Sequence, residues 1–365
     1  MRQVLHYKLF TILLMLPLVL IASNNNDRDG KYKKEKTITK TFNVNDNATL
    51  KVDNSYGNID VVTWDGNTID FQIIITTTGN DEDKVQQKLD GITVDFSGSQ
   101  DLVTAITNFS KNKSKSWWSW TNSNTVQMKI NYLIKMPITN NVNLSNDYGN
   151  INLGTLQGRA ELSCDYGKIT TKELLADNND ISFDYSNNCY FEFIKGGKID
   201  ADYSGFTVSK ANSLEIIADY TKSKVEVAEN IIYNCDYGGI TVDKVNNLKG
   251  NGDYLTVLIG DVYKNLDISA DYGSIKITKL QKSVKNVSIN SDYVGIKIGY
   301  DSQLAFDFDI ELEYGSLKDS DDSFNFVKKR VESSDRYYTG YQNTQNSGSL
   351  VKINSEYGSV TFYQN

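Results

Sequence analysis

Asp236-Tyr237-Gly238-Gly239-Ile240-Thr241-Val242 decides the fold, because close versions of it recur along most of the chain. An acidic residue followed by tyrosine marks each copy between Asp147 and Gly315. The tyrosines are Tyr148, Tyr166, Tyr185, Tyr203, Tyr220, Tyr237, Tyr254, Tyr272, Tyr293 and Tyr314, spaced by 18, 19, 18, 17, 17, 17, 18, 21 and 21 residues. Ser55-Tyr56 and Glu356-Tyr357 extend the series at either end. A near-fixed period of this length is the mark of a solenoid, in which one repeat cannot bury its apolar side without its neighbours.

Within a repeat, residues two, four and six before the tyrosine form one row. At minus four stand Val52, Leu144, Leu162, Ile181, Ile199, Ile216, Tyr233, Ile268, Ile289, Ile310 and Ile353, and at minus two small residues such as Cys164, Ala201, Ala218 and Cys235. Alternation with period two is a strand with one buried face. Continued by one step, the same parity predicts that the tyrosines point inward as a stacked internal ladder and that the acidic residues point out. After the tyrosine the apolar residues shift to plus three and plus five, as in Ile240 and Val242 or Ile275 and Ile277. A straight strand cannot change phase, so the chain must bend just after the tyrosine. Gly fills that bend at 57, 149, 167, 238, 273, 315 and 358, but Val294 stands there once. A β-branched residue resists positive φ, so the bend selects glycine for space. The expected fold is all-β: a single-stranded parallel β-helix with coils of 17–21 residues, stacked about 4.8 Å apart.

The remaining segments divide the chain. Residues 1–23 have the basic start, apolar run and small-residue end of a secretory signal peptide. Residues 24–140 read as an antiparallel β-rich cap with one short helix near Asp81–Leu89, where Val85 and Leu89 share a face. Residues 141–318 are the regular β-helix. Residues 319–365 read as an irregular, loosely held excursion followed by one terminal coil that seals the end.

Composition narrows the chemistry. Net charge is −8, which argues against nucleic acid as a partner. The only histidine, His6, lies in the expected signal peptide, so the mature chain has no imidazole for a Ser-His-Asp triad or a histidine-bound zinc site. No cofactor is expected. Cys164, Cys189 and Cys235 fall on different coils or different parts of a coil and read as small buried hydrophobes. The acidic row raises two readings. Each Asp can accept backbone N–H groups in its own bend, as in an Asx-turn; alternatively, Asp202, Asp219, Asp236 and Asp253 can bridge coils through calcium. Trp117, Trp118 and Trp120, among Lys111, Lys113 and Lys115, form the most ligand-like loop: flat indole faces suit sugar rings, Trp with Lys also suits a membrane interface, and the plainer reading is a hairpin tip whose Trp residues fold back over the cap. A glycan or a surface protein is the expected partner. β-Helices also host sugar lyases and glycosidases that use carboxylates, so a carbohydrate-active enzyme is the alternative; carboxylates repeated on every coil suit structure better than one active site.

Val52 to Trp64, the repeated Asp-Tyr-Gly-x-Ile-x-Ile units and the ending Ser355-Glu-Tyr-Gly-Ser-Val-Thr-Phe362 together resemble the bacterial putative-adhesin domain family of exported Bacteroidetes-type proteins. The resemblance spans nearly the whole mature chain, and its motifs are architectural. It implies an exported β-helix of the cell envelope, in the periplasm, at the outer-membrane surface or secreted. The function it implies is a non-catalytic adhesin, binding or scaffold protein, or else a purely structural envelope component.

Overall fold

The computed structural model describes residues 30–110 and 126–365. The segment read as a signal peptide and the loop holding Trp117, Trp118 and Trp120 lie outside them. Within the described residues the chain is all-β, with a single helix and 24 strands joined in one large, mostly parallel sheet that is not closed into a barrel. Successive repeats pair in parallel and in register: Leu144 with Leu162, Ile199 with Ile216, Ile216 with Tyr233 and Ile268 with Ile289. The rows at minus six, minus four and minus two are largely buried, as are those at plus three and plus five except in the Tyr185 and Tyr314 repeats. Their apolar alternation thus becomes one continuous core.

One exception explains itself. At minus four of Tyr254 stands Gly250, where every other copy is apolar. The preceding repeat carries Tyr233 at that row, and Tyr233 pairs directly with Gly250. A Cβ on Gly250 would run into the Tyr233 ring. One oversized side chain is accommodated by one absent side chain, so the total volume of the row is kept.

The N-terminal region is not a separate antiparallel cap. Thr49–Ser55 pairs in parallel with Leu102–Phe109 and Asn141–Asp147, and Ile59–Trp64 with Gln127–Pro137 and Asn150–Leu153. The Tyr56 repeat is therefore already stacked on the repeat of Tyr148, with the intervening chain looped out between them. Antiparallel pairing is confined to Tyr32–Asn43 with Thr68–Gly79, Thr68–Gly79 with Gln127–Pro137, and Ile92–Gly98 with Leu102–Phe109. The expected helix runs Glu82–Asp90; its N-cap Asp81 accepts from Lys84 N at 3.2 Å, and Val85 and Leu89 are buried.

The C-terminal region also departs from expectation. Residues 319–348 are not a loose excursion. Phe324–Glu332 and Asp335–Gln342 form an antiparallel hairpin laid against Phe306–Glu313. Polar sequence hid it, because its outer strand is exposed nearly throughout. The next-to-last strand, Leu350–Glu356, does not seal the end. It inserts between Asn286–Tyr300 and Phe306–Glu313 and pairs in parallel with both. The last repeat in sequence is therefore the next to last in space.

Cys164, Cys189 and Cys235 are free and buried, as small hydrophobes should be. Burial pushes the Cys164 and Cys235 thiols up to about 12 and Cys189 to about 11, far from reactive thiolates. The Tyr233 hydroxyl is buried and finds no hydrogen-bond partner among the described residues. Tyr233→Phe should therefore stabilise the fold by about 1 kcal/mol, whereas Gly250→Val should destabilise it by about 1–3 kcal/mol through overpacking; urea melts of both variants check the pair.

Candidate functional site: an exposed tyrosine ladder

The repeated tyrosines do not point inward. Each of the twelve sits at positive φ, between 50° and 63°, and is 41–59% exposed. The parity argument fails at this one residue because a left-handed corner reverses the next side chain. The residue before the tyrosine and the tyrosine itself both turn outward, and the residue after it turns in. The phase change that the sequence places after the tyrosine thus occurs at the tyrosine.

Outside, the rings form a ladder in the order Tyr56, 148, 166, 185, 203, 220, 237, 254, 272, 293, 357, 314. Successive centroids lie 4.6–5.2 Å apart and successive planes within 8°. Tyr357 stands between Tyr293 and Tyr314 because its strand is inserted there. At the other end Phe109 meets Tyr56 in a T-shaped pair, with centroids 6.1 Å apart. Ring faces are covered by neighbouring rings, so the stack offers its edges and hydroxyls.

A left-handed corner in an L-residue costs about 1–2 kcal/mol. Several contacts hold it. Each ring gains about 0.5–1.5 kcal/mol per stacked neighbour. The corner N–H groups are also satisfied across repeats: Tyr148, Tyr166, Tyr185, Tyr203, Tyr220, Tyr237 and Tyr254 donate to the carbonyl of the acidic residue in the next repeat at 2.8–3.1 Å. In return, Asp184, Asp202, Asp219, Asp236 and Asp253 donate their N–H groups to the carboxylate Oδ1 of the preceding repeat's Asp at 2.8–3.2 Å. These aspartates therefore brace adjacent repeats rather than their own bends, which corrects the Asx-turn expectation. The residue after the tyrosine faces inward against a neighbouring repeat. A Cβ at Gly149 would strike the Gly57 carbonyl oxygen, and one at Gly273 that of Leu255. Where Ser186, Ser204 and Thr221 replace glycine, their buried hydroxyls donate to backbone carbonyls at Cys164, Asp202 and Ala201. Glycine is there for space, as the sequence implies, and not for its φ.

The ladder carries its own electrostatics. Partial burial, reinforced by neighbouring carboxylates, holds Asp147, Asp184 and Asp253 above the usual carboxylate range; in Asp184 the bond from Asp202 N pulls the other way. Desolvation within the stack, followed by the neighbouring hydroxyls, raises Tyr166, Tyr203, Tyr237, Tyr272 and Tyr357. Those hydroxyls stay protonated and remain donors. Of the calcium candidates, Asp202, Asp219 and Asp236 each have one carboxylate oxygen engaged by backbone N–H, while Asp253 donates its own N–H to Asp236. Among the described residues no group of three or more His, Cys, Asp or Glu is placed to hold a metal ion. The structure also gathers a charged recess that the sequence hid, lined by Glu311, Glu313, Arg330, Asp335, Arg336 and Tyr337 beside the Tyr314 end. Arg330, Asp335, Arg336 and Tyr337 come from the hairpin that reads as loop, and Glu311 and Glu313 from the strand it lies against.

No family model matches the chain, and no curated protein does. Solved structures similar to it include a putative cell adhesion protein from Clostridium sporogenes, at 10% identity over 91% of this chain and 100% of that one, with a TM-score of 0.18. A putative adhesin from Parabacteroides distasonis aligns at 12% identity over 90% and 97%, with a TM-score of 0.30. A protein from the same organism described as a putative lipid binding protein aligns at 11% identity over 90% and 96%, with a TM-score of 0.28.

Because the rings stack outside, Tyr220→Ala leaves no internal cavity. It should cost about 1–3 kcal/mol, the loss of two stacked neighbours. Tyr220→Gly should cost less, since glycine accepts positive φ, and Tyr220→Phe should fall within about 0.5 kcal/mol of the parent; denaturant titrations rank the three.

The raised aspartates make a second, pH-dependent expectation. A carboxyl whose folded pKa lies above its unfolded value binds its proton more tightly in the fold, so it adds stability as pH falls through that window and loses it as pH rises. Glu35, Asp81 and Asp301, lowered mainly by hydrogen bonds, act in the opposite sense. The difference between parent and Asp184→Asn isolates the ladder, because Asn keeps the acceptor and drops the charge. The variant should melt higher at pH 7, and the gap should close as pH approaches about 4.

Proposed function

We propose that this chain is an exported, non-catalytic parallel β-helix whose tyrosine ladder is a linear binding surface, acting as an adhesin or envelope scaffold. The β-helix reading is supported by repeats 17–21 residues apart that pair in parallel and in register while both the minus-four and plus-three rows face one core. In this reading residues 141–318 form the regular body, 24–140 enclose one end and 319–365 complete the other. Export is supported by the N-terminal pattern of charge, apolar run and small residues. Among the described residues no helix is long and apolar enough to cross a membrane.

The observation that carries the binding role is the ladder itself. Twelve tyrosines occupy strained corners where glycine or asparagine would sit more easily, and about half of each ring is kept in solvent. Strain kept at an exposed, repeated position points to use, since it persists only where the surroundings enforce it. The enzyme alternative finds less support: the repeated carboxylates act as acceptors between repeats and are spread along an open row.

The full chain should bind intact bacterial cells or immobilised envelope glycans, and a Tyr203→Ser/Tyr220→Ser/Tyr237→Ser variant should lose about tenfold or more in affinity. Circular dichroism of the variant verifies that it is folded. A folded variant that binds as tightly as the parent would remove the ladder from the function, and release of reducing ends from any glycan would overturn the non-catalytic assignment.

A further inference from the structure

The tyrosine row divides the surface into two strips of opposite charge. On the side preceding it, the residue next to each ring is acidic from Tyr148 to Tyr314, and Asp53, Asp200 and Glu311 add to this flank two positions further back. No Lys or Arg occupies either position in any of the twelve repeats. On the side following it, the outward residues are those at plus two and plus four. In the Tyr185 repeat one extra residue shifts the outer position to Tyr190. Across all twelve repeats these positions hold Lys168, Lys222, Lys224, Lys276, Lys297 and Lys318 against a single acid, Asp60. A chain with net charge −8 thus keeps one flank of its aromatic row basic.

The basic strip is also shallow. Its inner position is Gly205, Gly239, Ser274, Gly295, Ser359 or Ser316 over much of the body. Nothing lies within 4 Å of where a Cβ on Gly295 would stand. Parallel pairing sets Lys276 beside Lys297, and sets both Lys297 and Lys318 beside Thr361. Lys224 is paired with Glu226 at 3.7 Å and Asp243 at 3.4 Å. The other five lysines make no ion pair among the described residues. From the tyrosine to the plus-four residue the strand covers roughly 13 Å. The result is a shallow trough beside the ring edges and hydroxyls, running along the stacking direction, its inner row mostly small residues interrupted by Lys168, Lys222 and Thr256 and its outer row carrying Lys224, Lys276, Lys297 and Lys318.

We propose that this trough binds a linear acidic polysaccharide laid parallel to the tyrosine ladder, with its carboxylates or sulfates on the lysines and its hydroxyls on the tyrosine, serine and threonine oxygens. The inference rests on the ladder being a binding surface and names its ligand class and the flank used. The charge partition chooses that flank, because the acidic side repels the same polymer. Nucleic acid is disfavoured among anionic polymers because the ring faces on which bases would stack are filled by neighbouring rings.

The test is affinity electrophoresis and calorimetry of the full chain with polygalacturonate, alginate and heparin, beside neutral dextran and oligothymidylate. At low salt at least one acidic glycan should bind, weakening as salt rises. Lys276→Glu/Lys297→Glu/Lys318→Glu should lower its affinity about tenfold or more at an unchanged melting temperature, and the corresponding Arg variant should retain it. Absence of acidic-glycan binding, or binding unmoved by charge reversal, overturns the inference. So does oligothymidylate bound as tightly as the best glycan. Dextran or cell binding that needs the tyrosines but ignores the lysines overturns it as well, while leaving the ladder as a binding surface. Acidic-glycan binding that needs the lysines but survives the tyrosine-to-serine changes keeps the basic strip and removes the ladder.

Discussion

The left-handed corner at each repeated tyrosine is the constraint on which the rest of this structure depends. The chain must turn between two inward-facing runs, and the turn is made by one residue at φ near +50°. That turn places two consecutive side chains outside and the next one inside. One position therefore carries the outward acid, one the outward ring and one the inward small residue. The exposed aromatic row, the acidic flank and the tight glycine contacts all follow from a single backbone choice repeated twelve times. The corner survives because neighbouring repeats satisfy its N–H groups and cover its ring faces, so no copy can be strained alone.

Such a stack is vulnerable at its ends, where strand edges are left unpaired. Two of the strands that pair on one side only, Tyr32–Asn43 and Phe324–Glu332, are rich in lysine or arginine, while a third, Ile92–Gly98, carries neither. Charge on an edge strand discourages pairing with another chain, since a like edge would bring the same charges together. The inserted next-to-last strand does something further. By pairing on both sides, Leu350–Glu356 cannot fray as a free terminal strand would, and it ties the C-terminus into the body. Both pairings join segments far apart in sequence, so long-range contacts fix the spatial order of the last rungs.

Much of the architecture was legible in the sequence because burial at minus six, minus four, minus two, plus three and plus five follows period-two alternation, which needs no knowledge of neighbours. Even Gly250, the one gap in the minus-four row, marks where the paired repeat puts Tyr233. The ladder's position was legible as well; its side was not. Parity carries through a strand but not through a corner, and Tyr is uncommon enough at positive φ that propensity argues against the observed conformation. The signal that could have found it is the phase shift itself: if minus two and plus one both face inward, the two residues between them must face out. The C-terminal hairpin was missed for another reason. Phe324–Glu332 is exposed on both faces, so it shows no alternation to read. The insertion of Leu350–Glu356 is a matter of spatial order, which periodicity within one repeat cannot encode.

Because the ring faces are saturated, the proposed recognition along the ladder would fall to edges, hydroxyls and the flanking charges, repeated with the rings every 4.6–5.2 Å. A surface of that kind presents near-equivalent registers instead of one pocket. Each rung contributes little, yet a ligand that is itself repetitive engages many at once, and after the first contact the others are met at high effective concentration. Affinity then grows with the number of rungs spanned, and the loss of a single ring is buffered by its neighbours. Release can proceed rung by rung, so residence depends on length as much as on chemistry. On the proposed reading, the same regularity that lets each corner be braced by the next would suit the surface to holding a long partner, whose many weak contacts replace the single water-excluding pocket of a bond-making site.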